Sequence, residues 1–415
     1  MTDTTNPGRA VTFEDLGVAD DLLAALSKAG ISDPFPIQQL AIPDALAGRD
    51  VCGKAQTGSG KTLAFGIPMV ERTGPAKPRR PGALVLVPTR ELCAQVTEAI
   101  DLLVNVRGQR VVAIYGGVSM SNQIDALNDG AEVVVATPGR LLDLVDRGKL
   151  DLEDVKTVVV DEADQMADMG FLPQVHAVMR QIPRGHQTML FSATLDGAVG
   201  ALINSYLTDP VRHEVADSDD VIDLMEHRFL QVHYMDKAKV VATIIRNAGK
   251  VLVFVGTKRN ADRVSDDLRK EGIDATAIHG DRRQEAREKA LSRFASGKLD
   301  ALVATNVAAR GLHIDDVAVV IHYDPPQDYK SFVHRSGRTA RAGEAGLVVT
   351  LVEWDQVEEV QRLQRAAGLH YGIVKVFSND ERLADLYALE PETVDMKMGT
   401  AVELSKRGLP RKRKR

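Results

Sequence analysis

One pattern recurs through most of this chain: a short β-branched apolar run halts at a small or charged residue, and a helical stretch follows. Ala83-Leu84-Val85-Leu86-Val87 halts at Pro88-Thr89-Arg90, and Val133-Val134-Val135-Ala136 halts at Thr137-Pro138-Gly139-Arg140. Val158-Val159-Val160 halts at Asp161-Glu162, and Met189-Leu190-Phe191 at Ser192-Ala193-Thr194. Apolar runs without polar alternation are buried on both faces, so they predict parallel sheets covered by helices. In such sheets ligands collect beyond the carboxyl ends of the strands, where each of these polar signals falls.

The pattern pauses at Asp209-Pro210 and across the acidic stretch 217–223. It resumes with Val251-Leu252-Val253-Phe254-Val255 before Gly256-Thr257, Ala301-Leu302-Val303-Ala304 before Thr305-Asn306, and 317–321 before His322-Tyr323-Asp324. A chain of 415 residues is long for one core. The expectation is therefore two tandem α/β domains, at 12–214 and 226–370, joined by a linker at 215–225. Residues 1–11 are polar and expected to be disordered, and 371–415 form a C-terminal extension ending in a flexible basic tail.

Charge excludes one class of function. With 52 basic against 58 acidic residues, a formal charge of −6, the chain does not coat nucleic acid with its whole surface. Basic residues crowd instead into 406–415, read as a solvated tail or an RNA tether. No apolar run approaches the roughly 20 residues that span a bilayer. Cys52 and Cys93 are too few for a disulfide framework or a zinc site. A monomeric, cytoplasmic protein without a membrane partner is expected.

Ala55-Gln56-Thr57-Gly58-Ser59-Gly60-Lys61-Thr62 follows the apolar pair Val51-Cys52 and precedes a helical stretch, the setting of a phosphate-cradling loop. Gly58 and Gly60 let backbone N–H groups approach phosphate oxygens. Lys61 reaches the β- and γ-phosphates, and the Thr62 hydroxyl ligates magnesium. The strict pattern has glycine where Ala55 stands. Farther on, the run 158–160 delivers two carboxyls to a strand end: Asp161 to hold magnesium through water, and Glu162 to orient or deprotonate the attacking water. ATP and Mg2+ are the cofactors this implies, and hydrolysis is the chemistry.

Asp161-Glu162-Ala163-Asp164 spells DEAD, and with the motifs around it the chain resembles the bacterial DEAD-box RNA helicases of superfamily 2, in order from Phe13 to Val352. The resemblance implies two tandem RecA-like domains. It also implies RNA-stimulated ATP hydrolysis coupled to local, non-processive unwinding of short duplexes or to remodelling of RNA–protein complexes. Gly30-Ile31-Ser32-Asp33-Pro34-Phe35-Pro36-Ile37-Gln38 is similar to the family's Q motif. There Gln38 would offer one donor and one acceptor to adenine, and Phe13 stands at the family's isolated upstream aromatic. Pro88, Thr89, Arg90, Gly117, Thr137 and Arg140 match positions that grip one RNA strand in the first domain. Gly256, Thr257, Gln284, Arg287 and Thr305 match the continuation of that track in the second. Backbone N–H groups near glycine, hydroxyls and arginine forks suit a read of the RNA backbone without base identity. Ser192 and Thr194, with Asp164, match the motif that couples hydrolysis to strand separation. Arg338 and Arg341, three apart and so on one face of a helical turn, match the arginine fingers, and His334 joins the water-positioning network. The partners implied are RNA, as single strand or short duplex, and ribonucleoprotein or RNA-degradation assemblies.

Four positions depart from the family's pattern: Ile31 for an aromatic, Asn306 for aspartate, His313 for an aspartate at the ATP ribose, and Ala340 for glycine. None touches Lys61, Glu162, Arg338 or Arg341, so altered nucleotide affinity is expected rather than inactivity. Two other readings stay open: a DNA-directed translocase of the same superfamily, and an ATP-gated RNA clamp in which turnover only times release.

Overall fold

The computed structural model describes residues 11–55, 58–215, 225–309, 317–339 and 346–387, with Leu389, Val394–Asp395 and Thr400–Ala401. Gln56, Thr57, His313, Ala340, Arg341 and the basic tail lie outside the described residues. The chain divides chiefly at Asp217–Ser218 into two compact units.

The first unit holds β1 (Val51–Lys54), β2 (Ala83–Leu86), β3 (Val111–Ile114), β4 (Val133–Ala136), β5 (Thr157–Asp161), β6 (Gln187–Ser192) and β7 (Val211–Glu214). They form one sheet, all neighbours parallel, in the order β3-β4-β2-β5-β6-β1-β7. The second unit holds β8 (Met225–Gln231), β9 (Val251–Val255), β10 (Ala275–Ile278), β11 (Ala301–Thr305), β12 (Val319–His322), β13 (Gly346–Val352) and β14 (Ile373–Lys375). Its sheet is again parallel, in the order β10-β11-β9-β12-β13-β8-β14. Counted from its own first strand, the second sheet repeats the order of the first. This is the tandem α/β architecture that the apolar runs predict.

Alternate residues of each strand feed opposite faces. In the first sheet Val85, Val133, Val135, Val159 and Phe191 pack with Ile42, Phe65 and Ile67 of two covering helices, Pro36–Leu46 and Lys61–Arg72. Leu84, Leu86, Val134, Val158 and Val160 pack on the other face with Leu141, Leu144 and Val175. Burial on both faces is why these strands read as unbroken apolar runs rather than as alternation.

Two helices start by the same device in the two units. Thr89 Oγ1 accepts from Leu92 N at 3.2 Å ahead of the helix Arg90–Asn105, and Thr257 Oγ1 accepts from Asn260 N at 3.1 Å ahead of Lys258–Lys270. A hydroxyl cap of this kind satisfies an N–H that the helix itself cannot pair.

The second domain continues beyond the expected limit at 370. β14 pairs with β8 in the sheet, and Leu383, Leu386 and Leu389 are buried in the domain core. The Arg228 side chain fixes this segment by donating to the carbonyls of Leu386 at 2.7 Å and Tyr387 at 3.3 Å. Among the described residues no helix is long and apolar enough to cross a membrane.

Candidate functional site

The first sheet divides its carboxyl edge between two groups of residues. β1, β6 and β5 lie on one side of it, and the loops after them carry the phosphate-loop, coupling and acidic residues. β2, β4 and β3 lie on the other, followed by Thr89, Thr137 and Gly117.

Lys61 opens the helix that follows β1, with Gly60 as its cap at φ +85° and Gly58 at φ +89°. Both glycines occupy the left-handed region that other residues rarely adopt. At Gly60 space is also decisive, because a Cβ would fall 2.5 Å from Gln38 Nε2 and 2.6 Å from Phe35 Cδ2. Lys61 is buried, and its ammonium folds back to donate to Ala55 O at 3.2 Å and to Glu162 Oε1 at 2.7 Å. Burial opposes that charge, but Glu162, Asp161 and Asp164 outweigh it and hold the ammonium above the usual lysine range.

The acidic residues sit where β5 turns into the helix Ala163–Asp168. Glu162 caps this helix at φ +52°, a conformation that costs about 1–3 kcal/mol for a non-glycine residue. The strain places its carboxylate on Lys61. Asp161 is 2% exposed and accepts from Glu162 N at 3.0 Å. Burial pushes the Asp161 carboxyl up to about 7, against the pull of Lys61. Ser192, at the end of β6, accepts through Oγ from Asp164 N at 3.1 Å and from Thr194 N at 3.3 Å. One hydroxyl thus ties the acidic turn to the next strand end.

The donor set suits magnesium. Asp161 is a buried carboxyl whose charge only a nearby cation restores at low cost, and the half-buried Thr62 hydroxyl is a hard oxygen ligand. Among the described residues no group of three or more His, Cys, Asp or Glu side chains converges as a metal cage. A cation that keeps several waters and takes its remaining ligands from phosphate fits this arrangement.

Two residues expected at adenine also serve the protein's own structure. Phe13 is 3% exposed and belongs to the core with Leu16 and Val18. Gln38 is 1% exposed, and both ends of its amide serve the protein: Oε1 accepts from Phe35 N at 2.8 Å, and Nε2 donates to Gly60 O at 2.9 Å. Gln38 is thus a brace across the phosphate loop.

On the other half of the edge, Arg90 lies across Gly117, where φ is +87° and any side chain would collide with the guanidinium. Arg140 donates to Gln123 Oε1 at 3.3 Å, and Gln123 donates in turn to Tyr115 O at 2.9 Å. Pro88 and Thr89 are buried, and Thr137 is half-buried. In the second domain Gly256 donates its N–H to Asp324 Oδ2 at 2.7 Å, and Gln284 Nε2 donates to Glu288 at 3.0 Å. Gln284, Arg287 and Thr305 are all buried.

Arg338 and His334 border a small cavity with Phe254, Asn306, Ser331 and Arg335. Arg335, which the sequence reading did not select, organises it. Its Nε donates to Asn306 Oδ1 at 2.6 Å and its Nη1 to Asp324 O at 2.7 Å, and its guanidinium lies 5.5 Å from the Phe254 ring centre. The only sequence signal for Arg335 is its place beside His334.

Residues 35–201 match the DEAD/DEAH box helicase family, and 236–343 match the helicase conserved C-terminal domain. The chain is 38% identical over 375 residues to the DEAD-box ATP-dependent RNA helicase CshA of Bacillus licheniformis, covering 90% of this chain and 77% of that protein. It is 39% identical over 374 residues to CshA of Geobacillus kaustophilus, covering 90% and 80%. Among solved structures it is similar to Saccharomyces cerevisiae Dbp5 bound to RNA and ADP BeF3, with a TM-score of 0.79 and 30% identity over 89% of this chain and 97% of that one. With two parallel sheets of one strand order, a phosphate loop and the acidic turn facing it, this chain belongs to the DEAD-box ATP-dependent RNA helicases, built on two tandem RecA-like domains.

Proposed function

We propose that the protein couples RNA-stimulated ATP hydrolysis to local, non-processive opening of short RNA duplexes or to remodelling of RNA–protein complexes. The observation that carries this reading is the 2.7 Å pair between Lys61 and Glu162, set on the same sheet edge as the Arg90–Gly117 and Thr137–Arg140 group. Nucleotide and RNA contacts drawn from one edge are mechanically connected, because β5 neighbours both β2 and β6.

In this reading the Lys61 ammonium leaves Glu162 for the β- and γ-phosphates, and Glu162 is released to orient and deprotonate the attacking water. Thr62 and, through water, Asp161 would hold Mg2+, which would supply charge neutralisation at the phosphates. Ser192 and Thr194 report the state of the acidic turn through Asp164. From the second domain Arg338, with Arg341, stabilises charge on the transferring phosphoryl group, and His334 helps to place water. Pro88, Thr89, Arg90, Gly117, Thr137 and Arg140, then Gly256, Thr257, Gln284, Arg287 and Thr305, follow the RNA backbone. At about 1.4 kcal/mol per stacked step, five base pairs cost about 7 kcal/mol to part, within reach of one ATP-driven event. Long duplexes are not.

The test compares ATP turnover with RNA, with DNA of the same sequence, and without nucleic acid. RNA alone is expected to stimulate, and duplexes of a few base pairs to open faster than long ones. Equal stimulation by DNA would overturn the choice of substrate. Full RNA-stimulated turnover in Glu162→Gln would remove Glu162 from the water-activating role.

A further inference from the structure

The chain has one tryptophan and leaves it in solvent. Trp354 is 78% exposed, although tryptophan is on average among the most buried side chains. It follows β13. β13, β8 and β14 are consecutive in the sheet, and the loops after β8 and β14 likewise leave Tyr234, Met235 and Phe377 exposed. The turns that carry these side chains are braced to one another. Val232 N donates to Val352 O and Val376 N to Gln231 O, both at 3.0 Å. Lys237 donates to Glu353 Oε1 at 3.0 Å, and Asp236 accepts from Ser378 N at 2.8 Å and from Ser378 Oγ at 2.9 Å. Single exposed apolar residues are ordinary. Four on three consecutive, cross-braced strand ends make a patch, and such patches mark interaction sites.

Charge decides what fits there. Segments 232–239, 353–359 and 375–382 carry seven carboxylates against four cations. Two of those cations, Lys237 and Arg382, are already paired with Glu353 and Asp380. Asp355, Glu358 and Glu359, close to Trp354 in the chain, are exposed. Such an edge repels phosphate and does not suit an RNA backbone. Aromatic faces beside carboxylates suit arginine and lysine, whose charged heads can meet ring and carboxylate together. Lys375 Nζ already lies 5.6 Å from the Phe377 ring centre. The same chain supplies a segment of this chemistry, 406–415, with seven cations and no acidic side chain. From Leu389, buried in the core of this domain, the chain to Lys406 can extend more than about 50 Å. The seven residues of β8 rise only about 23 Å. Tethering also gives the segment an effective concentration of about a millimolar. We propose that the basic tail 406–415 docks on this aromatic and acidic edge of the second domain. The docking stands apart from the ATP reading and from any further contact of the tail with RNA.

As the sole tryptophan, Trp354 reports whether the patch is covered, through quenching of its emission by neutral acrylamide. The parent is compared with a full-length variant in which every lysine and arginine of 406–415 is replaced by serine. At low salt the quenching constant of the parent is expected to be about 2- to 3-fold smaller, since a tethered tail is mostly docked. It should rise to the variant's value in about 1 M salt, where the Debye length falls to about 3 Å. A synthetic peptide of residues 404–415, added to the variant at about 1 mM, should restore the protection. Asp355→Asn with Glu358→Gln and Glu359→Gln keeps the indole in place and should remove most of the protection. Equal quenching in parent and tail variant would overturn the proposal, as would protection that survives loss of the three carboxylates. Protection of Trp354 by oligouridylate in the tail variant would make the patch an RNA site. Protection that grows with the concentration of that variant would make it an interface between copies. Either result overturns docking of the tail.

Discussion

The two domains share a strand order but put it to different use, and two lysines carry the difference. β1 lies between β6 and β7 as β8 lies between β13 and β14, and each is followed by a helix that begins with a buried lysine, Lys61 in one and Lys237 in the other. Each lysine meets a carboxylate from the end of the strand two places along the sheet: Glu162 after β5, Asp324 after β12. The loop before Lys61 has two glycines at positive φ, whereas Val232-His233-Tyr234-Met235-Asp236 has none. Lys237 is enclosed, 3.0 Å from Glu353 Oε1, 3.6 Å from Asp324 Oδ1 and 4.5 Å from the centre of the Tyr323 ring. Among the described residues Lys61 has a single carboxylate within 4 Å, in the loop proposed to take phosphate. The fold thus provides the same seat twice, and the loop decides whether it binds a ligand or staples a strand end.

Methionine at each lysine tests this directly and has the largest expected effect. Lys61→Met should lower RNA-stimulated ATP turnover about 10²–10³-fold, the range for losing one preorganised donor to developing charge. Lys237→Met should destabilise the second domain by about 1–3 kcal/mol, less than a fully buried pair, because its two carboxylates can turn towards water. At a temperature where the variant is folded, its turnover should stay within about 3-fold of the parent. Steady-state kinetics and calorimetry on the pair separate the two roles. A loss of turnover in Lys237→Met as deep as in Lys61→Met would erase the distinction.

That distinction was only half legible in the sequence. Lys61 announces itself through Gly58, Gly60 and Thr62, its immediate neighbours. Lys237 has no such signature, and its partner Glu353 lies 116 residues away along the chain. The strands were legible wherever both faces are buried, as at Ala83–Leu86 and Val251–Val255. β14 was missed because three residues, half-buried or exposed, give no periodicity. Side-chain inventory identified Gln38 as a donor and acceptor but not which atoms would claim it, because Gly60 O and Phe35 N converge on it only in three dimensions. Trp354 was passed over for the complementary reason: a lone tryptophan reads as core until its exposure is seen.

A second contrast lies one strand away and is of intermediate size. Counting back two residues from Glu162 and from Asp324 reaches Val160 in β5 and His322 in β12, both buried. His322 Nδ1 meets Thr350 Oγ1 at 3.0 Å. Burial, then the charges of Arg335 and His227, holds the imidazole well below its usual range. The folded state therefore keeps it neutral, while the unfolded chain takes up a proton below about pH 6.5. Its stabilising contribution is full above that pH and fades as pH falls, by up to about 1.4 kcal/mol per unit. Thermal unfolding of parent and His322→Gln between pH 7.5 and 5 (the pH range assayed) should show a shallower acid slope in the variant. Parallel slopes would mean that His322 takes no part in the acid sensitivity of the second domain.

The smallest effect is expected where the two domains hold their buried cations differently. Lys61 rests on a carboxylate, Glu162, whereas Arg335 rests on the neutral amide of Asn306 at 2.6 Å and on the Asp324 carbonyl. In the proposed mechanism the first domain's carboxylate has a second task, since a water-activating base has to be present when the lysine leaves. No such task falls to Asn306. An amide oxygen and a backbone carbonyl orient the Arg335 guanidinium. Asn306→Asp converts one bond to a charge-assisted one and should stabilise the second domain by about 1 kcal/mol or less, because desolvating the new carboxylate offsets most of the gain. It should also damp the electrostatic reach of Arg335 and lower turnover by about 2- to 5-fold, on the scale of about 0.5–1 kcal/mol in the barrier. Calorimetry with turnover at saturating ATP and RNA measures both. A variant that is both more stable and faster would show that the neutral partner hinders the second domain, and that its contrast with the first is not an adaptation to hydrolysis.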